Sequence, residues 1–342
     1  MFFNPASLLF FFTLVGGTLL SISANSWFGV WMGLEINLLS FIPLMVDSKN
    51  SLSNEAALKY FLIQTIASTC LLFSAILMHL FTNVTLLNFN DLFSFLISST
   101  LLLKMGAAPF HFWFPGTMEG LNWMNGLILM TWQKVAPLTL LSYMVSLNMF
   151  TYFIIFFSIL IGSLGGLNQT SLRKLMAYSS INHIGWMIAA MLSGENLWKL
   201  YFMIYVFLSS ALIFMFNSFG SFHINQSFLM MNLKPILKFS MFSLLLSLGG
   251  LPPFLGFLPK WLVIQTMAEL NLILIIITMV ITTLITLFFY LRLSFSAFLL
   301  SYSELKWLNT LNFKNSTIIL SSTLSALSCL SLLICSIITV IL

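Results

Sequence analysis

LSLGGLPPFLGFLPKW, residues 246–261, and its shorter counterpart KMGAAPFHFW, residues 104–113, decide how this sequence folds. Each puts glycine and proline in the middle of an apolar run long enough to cross a lipid bilayer. Proline has no amide hydrogen and its ring crowds the helix carbonyl four residues back, so neither run can be one straight helix. Lipid cannot satisfy the freed backbone groups, and such breaks persist only where they face protein or a water-filled cavity. Half-helix ends also present partial charges there. Both stretches read as pathway elements rather than lipid-facing wall.

The surrounding chain has 342 residues, 60% of them hydrophobic and 6% charged, with a mean hydropathy of +1.04. Soluble domains carry roughly 25% charged residues, so this composition belongs to a bilayer protein. Apolar runs of spanning length fall at about 3–24, 26–46, 56–81, 92–119, 122–147, 150–169, 172–193, 196–220, 235–267, 270–298 and 317–341, each near the 20 residues a transmembrane helix needs. The expected fold is all-α and polytopic, with about eleven transmembrane helices in a single membrane domain, 1–342. The interrupted runs are the fourth and the ninth, five apart. Because five is odd, this predicts a first five-helix repeat over 1–148, an inverted second over 149–300, and a C-terminal helix over 301–342.

Three cysteines, Cys70, Cys329 and Cys335, lie in apolar runs without CxxC or Cys/His spacing. They read as buried small hydrophobes, and no disulfide framework, zinc site or iron-sulfur site is supported. The first residues, MFFNPASLLFFF, lack a basic n-region and a cleavage site, so this run is expected to remain as the first helix. The heavy use of Phe and Met hints at an organellar gene.

Thirteen Lys and Arg face eight acids, scattered singly, and no basic stripe of the kind nucleic acids require is present. If the spans alternate sides, Lys49, Lys59, Arg173, Lys174, Lys234, Lys238, Arg292, Lys306 and Lys314 share one face and Lys199 alone takes the other. That bias places the N-terminus on the cytosolic or matrix side and, with an odd count, the C-terminus opposite.

Lys104, Lys134 and Lys260 remain inside spans, together with Glu35 and His183. A charge at bilayer depth costs about 2.5–3.5 kcal/mol on insertion scales, so such residues mark ion or proton paths unless a neighbour neutralises them. The obvious partner of Glu35 is Lys104. A static ion pair is the plain alternative, but desolvation can exceed its Coulombic gain, so a retained buried pair points to a switch. Burial disfavours the charged ammonium unless an acid restores it, which makes lysine a usable proton carrier. Lys134, in TWQKVAPL, is too deep in its span for easy snorkelling. His183, beside Ser179, Ser180 and Asn182, and His111, in the first break, are candidate relays or hydrogen-bonded packing residues. His79, His223 and the acids Asp91, Glu119, Glu195, Glu269 and Glu304 sit at span edges or in loops and read as solvated. Trp27, Trp31, Trp198, Trp261 and Trp307 resemble interfacial anchors. With no phosphate loop, nucleotide fingerprint or redox ligation, the chain is expected to hold no cofactor, and any redox chemistry belongs to partners.

The runs WMGLEINLLSFIP, LKYFLIQTIAS, KMGAAPFHFW, TWQKVAP, LRKLMAYSSINHIGW and GGLPPFLGFLPKW, in this order over 27–261, closely resemble the animal chain 2 family of antiporter-like membrane subunits of mitochondrial NADH:ubiquinone oxidoreductase, respiratory complex I. The resemblance implies that Glu35 is the glutamate of a Glu/Lys pair, Lys104 the broken-helix lysine, Lys134 the central lysine, Lys260 the terminal lysine, and His183 the mid-span histidine. It further implies an inner-membrane location with the N-terminus in the matrix and the C-terminus in the intermembrane space. Partners would be membrane lipids and other membrane-arm subunits, including neighbouring antiporter-like chains. NADH, FMN, iron-sulfur clusters and ubiquinone would reside in partner subunits. Relative to the broader antiporter-like pattern the chain is about three helices short at its N-terminus and has no long lateral helix, leaving a flank for neighbours. The implied activity is proton translocation driven by quinone reduction elsewhere, with the Glu35 and Lys104 pair opening to shift the proton affinity of Lys134 and pass a proton towards Lys260 or a neighbour. The alternatives are a stand-alone monovalent cation/proton antiporter and a non-conducting structural subunit.

Overall fold

The computed structural model describes residues 5–47, 50–82, 90–226, 235–299 and 315–329. These residues are helical nearly throughout, in two compact units, 1–154 and 155–342. The first unit contains α1 (Pro5–Ser23), α2 (Trp27–Met45), α3 (Ser51–Thr82), α4 (Asn90–Met105), α5 (Trp113–Gly120), α6 (Trp123–Met130) and α7 (Trp132–Ser142). Helix α8 (Met149–Gly165) runs across the boundary. The second unit contains α9 (Leu172–Ser193), α10 (Glu195–Phe219), α11 (Pro235–Gly249), α12 (Phe257–Glu269), α13 (Ile273–Leu299) and α14 (Asn315–Cys329).

Among the described residues, five helices are long and apolar enough to cross a membrane by length and composition: Pro5–Ser23, Trp27–Met45, Ser51–Phe81, Glu195–Phe219 and Ile273–Phe295. Shorter apolar helices cover Leu92–Met105, Met149–Gly165, Leu237–Gly249 and Ile319–Cys329. In the first unit α1 packs on α2, and α3 contacts α2, α4 and α5. The α1/α2 approach depends on small residues, since a Cβ on Gly33 would lie 2.6 Å from the Ser21 amide nitrogen. Close backbone approach of this kind replaces the hydrophobic effect as the driving force for association in lipid. In the second unit α10 and α12 both contact α9, and α11 packs against α10, α13 and α14. Serine hydroxyls buried in these helices bond back to the carbonyl three residues earlier, as in Ser21 to Thr18, Ser158 to Ile155 and Ser180 to Ala177, so the donor is satisfied within its own helix.

The sequence pattern and the structure differ at several places. The run at 122–147, expected as one span, is divided at Thr131 (φ −113°, ψ −71°) between α6 and α7. Pro137 withholds the amide that would bond the Gln133 carbonyl and crowds that carbonyl, weakening the first turn of α7. Cys70, expected to be buried, is exposed on α3, and Trp198, expected at an interface, is 4% exposed. Lipid and protein interior are equally apolar, so hydropathy does not say which way an apolar side chain of a spanning helix faces. Lys49, Lys234, Lys306, Lys314, Glu304, Trp307, Cys335 and the last part of the 317–341 run lie outside the described residues, as does the side chain of Asp91.

Candidate functional site

Both helix breaks end in the same way. Helix α4 stops at Met105, Gly106 takes a positive φ of 74°, and its amide donates to the Leu103 carbonyl while that of Ala107 donates to Leu102. Helix α11 stops at Gly249, Gly250 takes φ 81°, and its amide donates to Ser247 while that of Leu251 donates to Leu246. This is the Schellman arrangement, in which a left-handed glycine closes a helix end. The cap leaves the next carbonyls over, and here the two breaks part company. In the first unit the Lys104 carbonyl accepts from Gln64 Nε2 at 3.2 Å, a neutral donor from α3. In the second, Leu248 and Gly249 carbonyls accept from Lys260 Nζ at 3.4 and 2.9 Å, so an ammonium sits on the negative end of the α11 dipole.

The first unit gathers its polar groups around one buried cavity. Lys104 on α4 is 7% exposed and Lys134 on α7 is 1% exposed, and both line a space of about 20 Å³ with Asn37, Tyr60, Gln64 and Gln133. Water needs roughly 10–15 Å³ measured in this way, so the space holds about one molecule. A short network frames it: Tyr60 Oη donates to Gln133 Oε1 at 3.4 Å, and Gln133 Nε2 donates to Asn37 Oδ1 at 3.0 Å. Lys134 Nζ stands 5.1 Å from the Phe114 ring centroid, where the ring face offsets part of the desolvation of a cation. Glu35, half-buried on α2, lies within electrostatic range of Lys104. Its Oε2 is buried with no hydrogen-bond partner, and Glu35 forms no ion pair among the described residues. The break places His111, 6% exposed, off this cavity, where Nδ1 meets the Pro109 carbonyl at 3.3 Å and the ring packs on Phe112 at 4.3 Å. A carbonyl only accepts, so Nδ1 carries the proton in this contact.

The second unit holds a chain of rings. Lys260, 5% exposed on α12, stands 5.9 Å from the Trp186 ring of α9, and Trp186 stacks on Tyr201 of α10 at 6.4 Å and 12°. The Tyr201 hydroxyl meets His183 Nδ1 at 2.9 Å, and the His183 ring lies 5.1 Å from that of Tyr205. His183 and Lys260, far apart in sequence, are therefore linked through two aromatic side chains. Half-helix packing is tight: a Cβ on Gly256 would run into the Ser247 carbonyl oxygen.

The structure thus brings Lys104 and Lys134 together with Glu35 in range, and connects Lys260 to His183. Of the edge groups, Glu195 pairs at the surface with Lys199 at 3.0 Å, and Glu269, His79 and His223 are exposed, whereas Glu119, expected to be solvated, is half-buried. Asn37, Gln64, Gln133, Tyr60, Tyr201, Tyr205 and Trp186 were not singled out by sequence reasoning. Their signal is a neutral amide or phenol inside an apolar run, as in LEINLL and FLIQTI, which is far weaker than a charge.

Comparison with known proteins agrees with this geometry. A family model described as NADH:quinone oxidoreductase/Mrp antiporter, TM, matches residues 24–286, and one described as NADH dehydrogenase subunit 2 C-terminus matches 287–339. NADH-ubiquinone oxidoreductase chain 2 of Aedes aegypti is 57% identical over 335 residues, 98% of each chain, and that of Anopheles gambiae 58% over 308 residues, 90% of each. A chain of respiratory complex I from Thermus thermophilus superposes with a TM-score of 0.86 at 23% identity, covering 96% of this chain and 78% of that one. A chain of the Mrp complex from Dietzia superposes with a TM-score of 0.78 at 14% identity, covering 94% and 73%. Matched along nearly its whole length, the chain belongs to the NADH-ubiquinone oxidoreductase chain 2 family.

Proposed function

We propose that this chain is a core membrane subunit of respiratory complex I, in the mitochondrial inner membrane, which takes part in proton translocation coupled to electron transfer from NADH to ubiquinone. The observation that carries the reading is the buried cavity shared by Lys104 and Lys134, with Glu35 in range of Lys104. A proton on Lys134 responds to whether Glu35 neutralises Lys104. Moving one charge across 100 mV requires about 2.3 kcal/mol, which at about 1.4 kcal/mol per tenfold change in proton affinity is a swing of nearly a hundredfold. The field of Glu35 on Lys104 is the element that this reading makes responsible for that swing. Lys260 and His183 serve a second step in their own unit, where the Tyr201 hydroxyl meets His183 and Trp186 packs between Tyr201 and Lys260, so that transfer between the two requires water. His111, held to its own break, orders that backbone beside Lys104.

The finer arrangement belongs to the same reading: eleven spans in two inverted five-helix repeats, 1–148 and 149–300, with a C-terminal helix over 301–342. The common cap at both breaks supports it. The positive-inside bias supports an N-terminus in the matrix and a C-terminus in the intermembrane space. Other membrane-arm subunits, neighbouring antiporter-like chains among them, cover its flanks, and the redox cofactors belong to partner subunits.

The test is Lys134→Met in the assembled complex, with quinone reduction and proton pumping measured together. Pumping falls at least tenfold while assembly is retained; full pumping at full assembly would leave a non-conducting scaffold. The fold shared with the Mrp complex chain favours one other reading, a stand-alone cation/proton antiporter. The purified chain in liposomes would then exchange sodium or potassium for protons without an electron donor.

A further inference from the structure

We propose that the second unit carries a binding site for the phosphate of an anionic lipid headgroup, apart from the buried lysines. A cavity of about 670 Å³ opens between the turn after α8, the segment after α10 and the end of α13. Its lining includes Arg292, His223, Asn168 and Gln169, and among the described residues no Asp or Glu lines it. The same lining carries apolar side chains, among them Leu175, Phe289 and Leu293. Ligand sites typically enclose about 300–1,000 Å³, and a lining that combines a guanidinium and neutral polar groups with apolar side chains fits an amphiphile better than a free ion.

The polar rim is built rather than incidental. The amide of Leu172 donates to the Phe222 carbonyl at 2.9 Å and that of Ile224 to Thr170 at 3.2 Å, tying the two segments together. Gln226 Oε1 accepts from the amides of Phe222 and His223 at 2.8 and 3.1 Å, and Gln169 Nε2 donates to the Gly165 carbonyl at 3.1 Å. Behind them the Arg173 guanidinium lies 4.7 Å from the Phe222 ring centroid and adds positive charge. Gly166 lets the turn close on α13, since a Cβ there would meet the Phe289 ring at 2.9 Å.

Position selects the ligand. Arg292 lies three residues before the end of the apolar span Ile273–Phe295, where a long cationic side chain reaches the headgroup layer. Its planar fork matches two phosphate oxygens, and basic pockets between spanning helices recognise acidic lipid headgroups. The phosphate sits against Arg292 and His223, and the first acyl carbons lie along Phe289 and Leu293.

The experiment uses the assembled complex, stripped of lipid in zwitterionic detergent and then exposed to phosphatidylglycerol vesicles, to phosphatidylcholine vesicles, or to inorganic phosphate, with bound lipid counted by native mass spectrometry. Wild type takes up one more phosphatidylglycerol per complex than Arg292→Gln, whose binding weakens at least about tenfold through loss of the charge-assisted pair. Phosphatidylcholine does not fill the difference, and millimolar inorganic phosphate does not displace the lipid. Equal uptake by both proteins, equal uptake of phosphatidylcholine, or displacement by inorganic phosphate would each overturn the assignment. His223→Gln, on an exposed segment, carries the same expectation if Arg292→Gln fails to assemble.

Discussion

Lys260 holds two roles that the other buried lysines do not combine. Its ammonium is the donor to the Leu248 and Gly249 carbonyls and also stands beside Trp186 at the start of the ring chain to His183. Lys260→Met therefore removes a titratable group and leaves two buried carbonyls unserved, each costing about 1–3 kcal/mol. The expected result is a complex that pumps poorly and inactivates at a lower temperature. Lys134→Met, whose ammonium faces a ring and a cavity, lowers pumping with a smaller change in thermal inactivation. The lysines were legible in sequence because an ammonium inside an apolar run has few innocent explanations. Gln64, Asn37 and Gln133 were not, because a neutral amide is tolerated in a span for packing alone, and only the fold shows that these three surround the same space.

At the level of helices, the paired Gly and Pro signals located two breaks correctly, since GG and GAAP after an apolar turn specify a left-handed cap and nothing else that lipid tolerates. The third break, at Thr131, escaped because the residue carries no glycine or proline signal of its own, the nearest proline, Pro137, lying six residues downstream inside α7. Helix packing gives a sharper test than helix breaking. Gly256 faces the Ser247 carbonyl so closely that a methyl group cannot be accommodated; Gly256→Ala must drive α11 and α12 apart. Blue-native gels should show loss of assembled complex for Gly256→Ala, and normal assembly for Gly116→Ala, where a Cβ meets nothing within 4 Å.

Among the described residues, each compact unit contains a helix that ends at a left-handed glycine in mid-run and at least one buried lysine. If the two units perform successive steps of one transfer, their defects do not add. The double variant Lys134→Met/Lys260→Met is then expected to pump no worse than the weaker single variant, measured as protons moved per NADH oxidised; multiplied defects would show two independent routes. Large apolar side chains point outward in both units, among them Phe112 at 83%, Met149 at 75% and Leu274 at 73% exposed. Such a surface demands lipid or neighbouring subunits. Which of the two covers a given face is the part that sequence could not tell, because acyl chains and partner helices ask for the same residues.

The narrow room between Lys104 and Lys134 has a kinetic meaning. A conductor one solvent molecule long is either complete or cut, with no graded state, so transfer there behaves as a fuse rather than a tap. Leu129, 1% exposed, forms part of its wall. Leu129→Phe fills that space while every charge stays in place, and proton transfer across the gap is expected to stop in a protein whose titratable groups are all intact.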